Sequence, residues 1–459
     1  MNQQKKIFNH NFGGPTGVVL VVVLWVLVVL AVLTVALAQS ARLDNAVRLA
    51  GADRVTARWL ARAGVQRAIA EITQDHPSTD CQTDSWYDNE KDFKEVHLPG
   101  GTFTLCADRF YTDNRCAYGI MDEASKINLN TATSEMLMAL PEITETLANE
   151  ILAWRKNKFN SLNKEEKDFS ETKQPIKPVT KKGEIQTVRE LGWASNSVTE
   201  KLLYGEDKNL NGILENNEDD GESVPPPDDN DGILKRGLLA YVTVYSYEQN
   251  VDGQGQTRLN INTATQEEME GLLELHPAHA RWIIGHRPFM ESIAELLSED
   301  QSVAVPEAIP TTEIASRGGT IPNSEKKVSI RPDLETFRRI ADRITITNEH
   351  IIPGRININT AGEVVLRALP GMNESLVAAI IQKRQDLEVG FKSIAELLSV
   401  SGLTVIQFKK IAPLITVRSN VFTIHSYGRA ESTGIEHQIE AVIDRGRNRP
   451  HILYWKENP

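Results

Sequence analysis

Residues 18–38 read VVLVVVLWVLVVLAVLTVALA, with no charge, no glycine and no proline. At 1.5 Å per residue this run makes a helix of roughly 32 Å, enough to cross the hydrocarbon core of a bilayer. A helix of a soluble domain keeps a polar face for water, and this run has none. It therefore predicts a membrane-spanning helix. Ahead of it, a polar leader over residues 1–17 carries Lys5 and Lys6 and closes on Gly17. Behind it the helical pattern continues. No proline interrupts Val18 to Ile72, and Leu43, Val47, Ala50, Ala57, Leu60, Ala61, Val65, Ala68 and Ile72 recur at helical spacing. One helix over 18–76 is expected, amphipathic in its second half and ended by His76-Pro77.

The chain has 459 residues and 41% hydrophobic content, so the span carries a folded cargo of several domains. The net charge of −12 is concentrated: between Glu206 and Asp231 stand ten acidic residues and one basic one, Lys208. No basic footprint for nucleic acid stands out, and nucleic acid is not an expected partner. Cys81, Cys106 and Cys116 fall in one early segment. One disulfide with an odd thiol and three reduced cysteines are both compatible with that spacing. Lys5 and Lys6 favour an inward leader, but Arg42 and Arg48 lie just past the span, so charge leaves the orientation open.

Strand signals are scattered. Residues 77–125 hold Thr102–Cys106 and Ala117–Met121; 236–258 hold Leu238–Tyr247, rich in β-branched and aromatic residues; 419–459 hold a hairpin, Val421–Tyr427 and His437–Ile443, around Ser432-Thr433-Gly434. One small antiparallel sheet packed on the long helix is the simplest assembly. Between its strands lie helical insertions with an internal repeat. Lys126-Ile-Asn-Leu-Asn-Thr-Ala132 recurs as Arg258-Leu-Asn-Ile-Asn-Thr-Ala264 and Arg355-Ile-Asn-Ile-Asn-Thr-Ala361. Two amphipathic stretches follow each, ending in Arg155, Arg287 and Arg384. Asn-Thr-Ala suits a helix N-terminus, where a side-chain oxygen accepts from an orphan amide. Ser292-Ile-Ala-Glu-Leu-Leu297 and Ser393-Ile-Ala-Glu-Leu-Leu398 extend the second and third copies, and Thr187-Val-Arg-Glu-Leu191 echoes them in the first. The copies occupy 126–235, 259–298 and 355–418, with a linker and extra segment over 299–354.

The repeat resembles the helix-hairpin-helix motif, in which amides of a glycine-containing hairpin bind a DNA phosphate. The third copy has the glycine, Gly371; the first has Glu142 there and the second His276-Pro277. A carboxylate at that place repels a phosphate, so packing or protein contact is the expected use. The acidic stretch contains a twelve-residue calcium-loop pattern running from Asp207 to Glu218. Oxygens of Asp207, Asn209, Asn211, the Ile213 carbonyl and Glu218 would surround the ion, Gly212 would make the turn, and Glu215 stands where a ligand often acts through water. Asp229 and Asp231 read as further ligands. A structural Ca2+ is the expected cofactor. His276, His279 and His286 are close in sequence, but no second ligand cluster accompanies them. Gly-Lys-Ser/Thr, Gly-x-Ser-x-Gly and His-Glu-x-x-His patterns are absent from the sequence. No enzymatic role is expected.

Taken together, Gly17-Val-Val-Leu-Val-Val-Val-Leu-Trp25, Asp122-Glu-Ala-Ser-Lys-Ile-Asn-Leu-Asn-Thr-Ala132, Gly205-Glu-Asp207 and the C-terminal strands resemble the minor pseudopilin K family of type II secretion, general secretion pathway protein K. The resemblance implies an α+β, pseudopilin-like fold: a long N-terminal transmembrane and amphipathic helix on a small antiparallel sheet, with large helical insertions. It implies prepilin peptidase cleavage between Gly17 and Val18, residence in the inner membrane with the bulk periplasmic, and a place at the pseudopilus tip. The implied partners are minor pseudopilins I and J, the major pseudopilin and inner-membrane lipid. Val22 stands where pseudopilins generally carry a glutamate, a departure that the K type shares. Two other readings stay open: a membrane-tethered DNA-binding protein, and an exported soluble protein whose signal peptide ends at Ala36-Leu37-Ala38.

Overall fold

A computed structural model gives the structure of the protein and describes residues 16–75, 78–107, 117–156, 183–195, 197–207, 210, 214–221, 228–298, 331–447 and 449–458. The predicted leader (mostly), His76-Pro77, Cys116, Asn209, Asn211, Ile213 and most of the predicted linker lie outside these residues.

The predicted long helix runs unbroken from Thr16 to Gln74. Its two halves differ. Val18 to Leu49 are all exposed, including Leu43 and Val47, which the periodicity had placed on a packed face. Packing begins at Asp53 and follows Ala57, Leu60, Ala61, Val65, Ala68 and Ile72, which fall in two adjoining rows at i, i+4 or i, i+8 spacing (Asp53, Ala57, Ala61, Val65 and Leu60, Ala68, Ile72) and so share one stripe. That stripe lies on an antiparallel sheet ordered Val96–Leu98, Gly101–Cys106, Val421–Ala430, Glu436–Asp444, His451–Asn458. Met121–Asp122 pairs the far end of Val421–Ala430, with Phe422 opposite Asp122. The shared core holds Trp86, Phe93, Phe103, Leu105, Phe422, Ile424, Ile439 and Ile443.

The helix can lie close to the sheet because both surfaces are small where they touch. A Cβ on Gly428 would collide with the Ala57 carbonyl and the Ala61 amide, and one on Gly64 with the Ser426 hydroxyl. Ser426 Oγ instead donates to the Ala61 carbonyl at 2.8 Å. At the other end of the stripe, Asp53 accepts from Ser432 and Thr433 in the hairpin tip.

Everything between Asp122 and Val421 is inserted between two strands that are neighbours in the sheet. This insertion has its own core, which runs from Ile127 to Val417 through all three copies. Each copy closes on itself through a two-residue parallel ladder. Ile127–Asn128 pairs Val242–Thr243, Leu259–Asn260 pairs Ile344–Thr345, and Ile356–Asn357 pairs Ile415–Thr416. The closing Val-Thr-Val, Ile-Thr-Ile and Ile-Thr-Val segments are thus a second half of the repeat. Leu238–Tyr247, expected as one strand of the main sheet, breaks up accordingly. It holds a 3-10 turn at Leu238–Ala240, the closing pair Val242–Thr243, and the start of Tyr247–Gln249, which pairs Ile351–Pro353.

The second and third copies also exchange elements. Helix Leu334–Ile340 of the second rests on Ile394–Ser399 of the third, and Val405–Ile411 of the third rests on Ile293–Leu296 of the second. Phe337 and Phe408, in matching Phe-Arg-Arg-Ile-Ala and Phe-Lys-Lys-Ile-Ala segments, meet edge to face with ring centres 6.1 Å apart. The third copy is the compact unit. The acidic stretch is an insertion in the first copy, between Glu200–Tyr204 and Leu238–Ala240, and residues 299–330 are one in the second.

Candidate functional site

Two places carry the sequence-predicted chemistry: the three hairpins and the acidic loop. The hairpins are built on one hydrogen-bonding pattern. The first Asn of each Asn-x-Asn (Asn128, Asn260, Asn357) accepts from the amide two residues on at 2.9, 2.9 and 3.0 Å. The second clamps the segment after the hairpin, donating to and accepting from one backbone unit: Asn130 with Ile185, Asn262 with Phe289, Asn359 with Phe391. Among the described residues the terminal arginines pair with no carboxylate. They donate to carbonyls at the start of their own copies: Arg155 to Leu129, Arg287 to Ala264, Arg384 to Ala361 and Ile358. Burial lowers the pKa of all three guanidinium groups from its ordinary value. The expected helix caps shift by two residues from the Thr of the motif: Thr133 and Thr265 cap the first helices, while Asn-Thr-Ala forms the preceding turn.

At the hairpin tips the residue in left-handed conformation is Glu142 (φ 59°), Glu274 (φ 52°) and Gly371 (φ 73°). In the second copy it is therefore Glu274, not His276-Pro277. His276 instead caps the next helix, its Nδ1 accepting from Ala278. A non-glycine residue in that region costs on the order of 1 kcal/mol. His286 stacks on Trp282 with ring centres 3.9 Å apart, and buried His279 meets His276 edge to face at 6.0 Å. Open space surrounds Gly371, with the Lys410 side chain nearest, 4.0 Å from where a Cβ would lie. Arg339, at the matching place in the second copy, donates to the Leu273 and Glu274 carbonyls.

The acidic loop is entered and left through one tie. Glu206 N donates to the Lys235 carbonyl at 2.7 Å, and Lys235 N to the Glu206 carboxylate at 2.8 Å. Inside it Asp207 and Glu218, the first and twelfth positions of the pattern, are both 1% exposed. The Glu215 amide donates to Glu218 at 3.2 Å. Two buried carboxylates at the ends of such a loop suit a hard cation with oxygen ligands. Asp229 and Asp231 turn to the Lys235 ammonium, which raises that lysine's pKa. The sequence reading passed over Asp228. Burial pushes this carboxyl up, but amides of Gly221, Asp220 and Asn230 outweigh it and hold the pKa below the usual value. Its only sequence signal is its place in Asp228-Asp-Asn-Asp231.

The molecule is thus an α+β protein with one long, apolar N-terminal helix of membrane-spanning length and three helix-hairpin-helix-like copies. The helix-hairpin-helix motif family matches residues 122–164 and 354–416. Relatives named endonuclease/exonuclease/phosphatase family domain-containing protein 1 match at 26% identity in Bos taurus (192 residues, 40% of this chain) and 28% in Xenopus laevis (181 residues, 38%). The human protein of that name matches at 26% over 195 residues. The chain spans about a third of those relatives, 32%, 30% and 32% of their length. Their name is that of an enzyme family, which corrects the expectation that an enzymatic role is excluded. The GspK-GspI-GspJ complex of the enterotoxigenic Escherichia coli type 2 secretion system aligns over 90% of this chain and 99% of the other, at 13% identity and a TM-score of 0.37.

Proposed function

We propose that this chain is a membrane-anchored subunit at the tip of a secretion pseudopilus, where it helps start assembly with other minor pseudopilins. The observation behind this reading is where the three copies leave the sheet. They depart at Asp122 and Phe422, the end at which the long helix stops: Arg445 ties the Ile72 carbonyl and Asp75 there, and Asp80 N donates to the Val417 carbonyl. The exposed apolar half lies at the opposite end of that helix. Anchor, shared helix–sheet body and bulky cap then follow in order. In this reading the anchor sits in the inner membrane, then packs against helices of minor pseudopilins I and J and the major pseudopilin. Val22 leaves no carboxylate for a subunit above. Prepilin peptidase cuts between Gly17 and Val18, and the Asp207–Glu218 loop holds a structural Ca2+.

Peptide mass mapping of the protein isolated from membranes tests the proposal. A start at Val18 with a methylated amine is expected. A start at Gln39 marks a secreted protein, an intact Met1 a plain anchored one, and either outcome removes the pilus reading. The helix-hairpin-helix match and the open surroundings of Gly371 beside Lys410 favour a second reading, a tethered nucleic-acid binder. Retention of duplex DNA that falls steeply with salt would favour it over the first.

A further inference from the structure

We propose that the joint between the sheet and the third copy is a pH-sensitive latch, in which Asp80 and Asp122 together hold one proton and its loss loosens the joint. Both carboxyls are buried, at 0% and 3% exposure. They meet around Ser419 and Asn357. The Ser419 amide donates to Asp80 at 2.7 Å, and Asn357 Nδ2 donates at 3.1 Å both to the Asp122 carboxylate and to the Asp80 carbonyl. Thr360 also donates to Asp122, as does the Ala124 amide at 2.7 Å. The joint is where chain segments far apart in sequence are fastened: the loop after the long helix, the strand holding Asp122, the third copy and the turn after Glu436–Asp444.

The charges do not balance. Facing Asp80 are Asp75 from the end of the long helix, Asp84 from its own loop (which also takes the Cys81 thiol), Asp122 from the neighbouring strand, and Arg445 from the turn. Arg418 reaches the Ser78 carbonyl at 2.7 Å but is held by Asp342. The third copy offers neutral groups in contact, Asn357 and Thr360, with Ser419 just past it. Four carboxylates thus share one guanidinium; Asp75 and Asp84 are half-buried, but Asp80 and Asp122 are closed to water, and a proton is the smallest group that relieves the excess on that buried pair. Burial pushes Asp80 up from 3.8 to about 7 against the pull of Arg445, with Asp122 and Asp75 adding to the rise. Burial raises Asp122 and Asp84 as well. Asp122 is among the like charges that raise Asp80, so a proton on either carboxyl relieves the other. Because the folded pKa lies above the unfolded one, the folded chain keeps a proton that the unfolded chain has released. The proton's contribution to the joint is fully present below 3.8 and is lost as pH rises from there through about 7.

The test uses the full chain in detergent, with 13C-aspartate for infrared spectroscopy and hydrogen exchange read at residues 78–84 and 356–361. A protonated carboxyl stretch is expected at about pH 5.5 and should be gone by about pH 8.5. Exchange in both segments, corrected for its intrinsic pH dependence, should rise by up to about thirtyfold over that range, a factor of ten for each of the roughly 1.5 pH units between 5.5 and the folded pKa. Asp80→Asn and Asp122→Asn should each remove the titrating band and flatten the exchange profile. Absence of a protonated carboxyl band in the unaltered chain overturns the proposal even if neither variant folds. So does pH-independent exchange in that chain, or a band that survives in both variants.

Discussion

At Glu248 one buried carboxylate gathers cations from three parts of the chain. Arg258 opens the second copy and binds it at 2.7 Å; Arg355 opens the third and binds at 2.7 Å; Arg418, just after the third, stands at 3.8 Å. Burial alone would raise this acid, but Arg258 and Arg355 outweigh it and pull the pKa from 4.5 to about 2. A depressed folded pKa contributes stability above the unfolded value and loses it as pH falls through the folded one. The expected loss therefore runs from pH 4.5 down to about 2. Glu248→Gln should flatten that limb of an acid-unfolding curve. It should also cost about 3–5 kcal/mol at neutral pH, because the arginines stay buried without their partner. An unchanged acid limb by circular dichroism would remove Glu248 from this role. The opposite slope expected at Asp80 makes the two carboxylates separable in one pH series.

At the scale of elements, two devices do most of the fastening. One is the Asn clip that closes each hairpin copy. Asn359 is 1% exposed, whereas Asn130 and Asn262 are half-buried. Asn359→Ala leaves the Phe391 amide and carbonyl unsatisfied away from water and should cost about 2–3 kcal/mol, against about 1 kcal/mol for Asn130→Ala or Asn262→Ala. Urea midpoints order the three, and equal costs would mean the clip is redundant with packing. The other device is the close approach of helix and sheet. Gly428→Val should push the long helix off Val421–Ala430 and cost roughly 1–3 kcal/mol, or more if the backbones cannot part. A matching substitution at exposed Gly271, where a Cβ meets nothing, should cost little beyond helix propensity. Thermal melts of the two variants make the comparison.

For the whole molecule, the acidic insertion is the part whose order depends on solution conditions in the proposed reading. Nine net negative charges between Glu206 and Asp231 repel one another, and a divalent cation on Asp207 and Glu218 would relieve them. A ligand that binds only the folded form stabilises it by about 2.7 kcal/mol at a hundred times its dissociation constant. Chelator should lower the melting temperature and expose residues 205–235 to protease, and Asp207→Ala or Glu218→Ala should abolish the response. Unchanged melting and proteolysis in a sample shown to be metal-free would leave the loop a solvated acidic insertion.

The long helix, its apolar half and the three Asn-Thr-Ala copies were determined by the sequence alone. Each is a local signal, in which neighbours along the chain repeat a pattern over many turns or many residues. The hairpin Val421–Tyr427 and His437–Ile443 was legible for the same reason. Tertiary structure decided what depends on partners far away. Val242–Thr243 leaves the main sheet for Ile127–Asn128, and two residues are too short a ladder to print a period of their own. Glu274 takes the left-handed tip because the hairpin register places it there, without glycine to announce it. Leu43 and Val47 share the helical spacing of Ala57 and Val65, yet the sheet ends before it reaches them. Asp229 and Asp231 look like cation ligands in the sequence; the fold brings Lys235 to them and buries Asp228 beneath three amides instead. Periodicity tells which face of a segment is apolar, but only the assembled core supplies the surface that covers it.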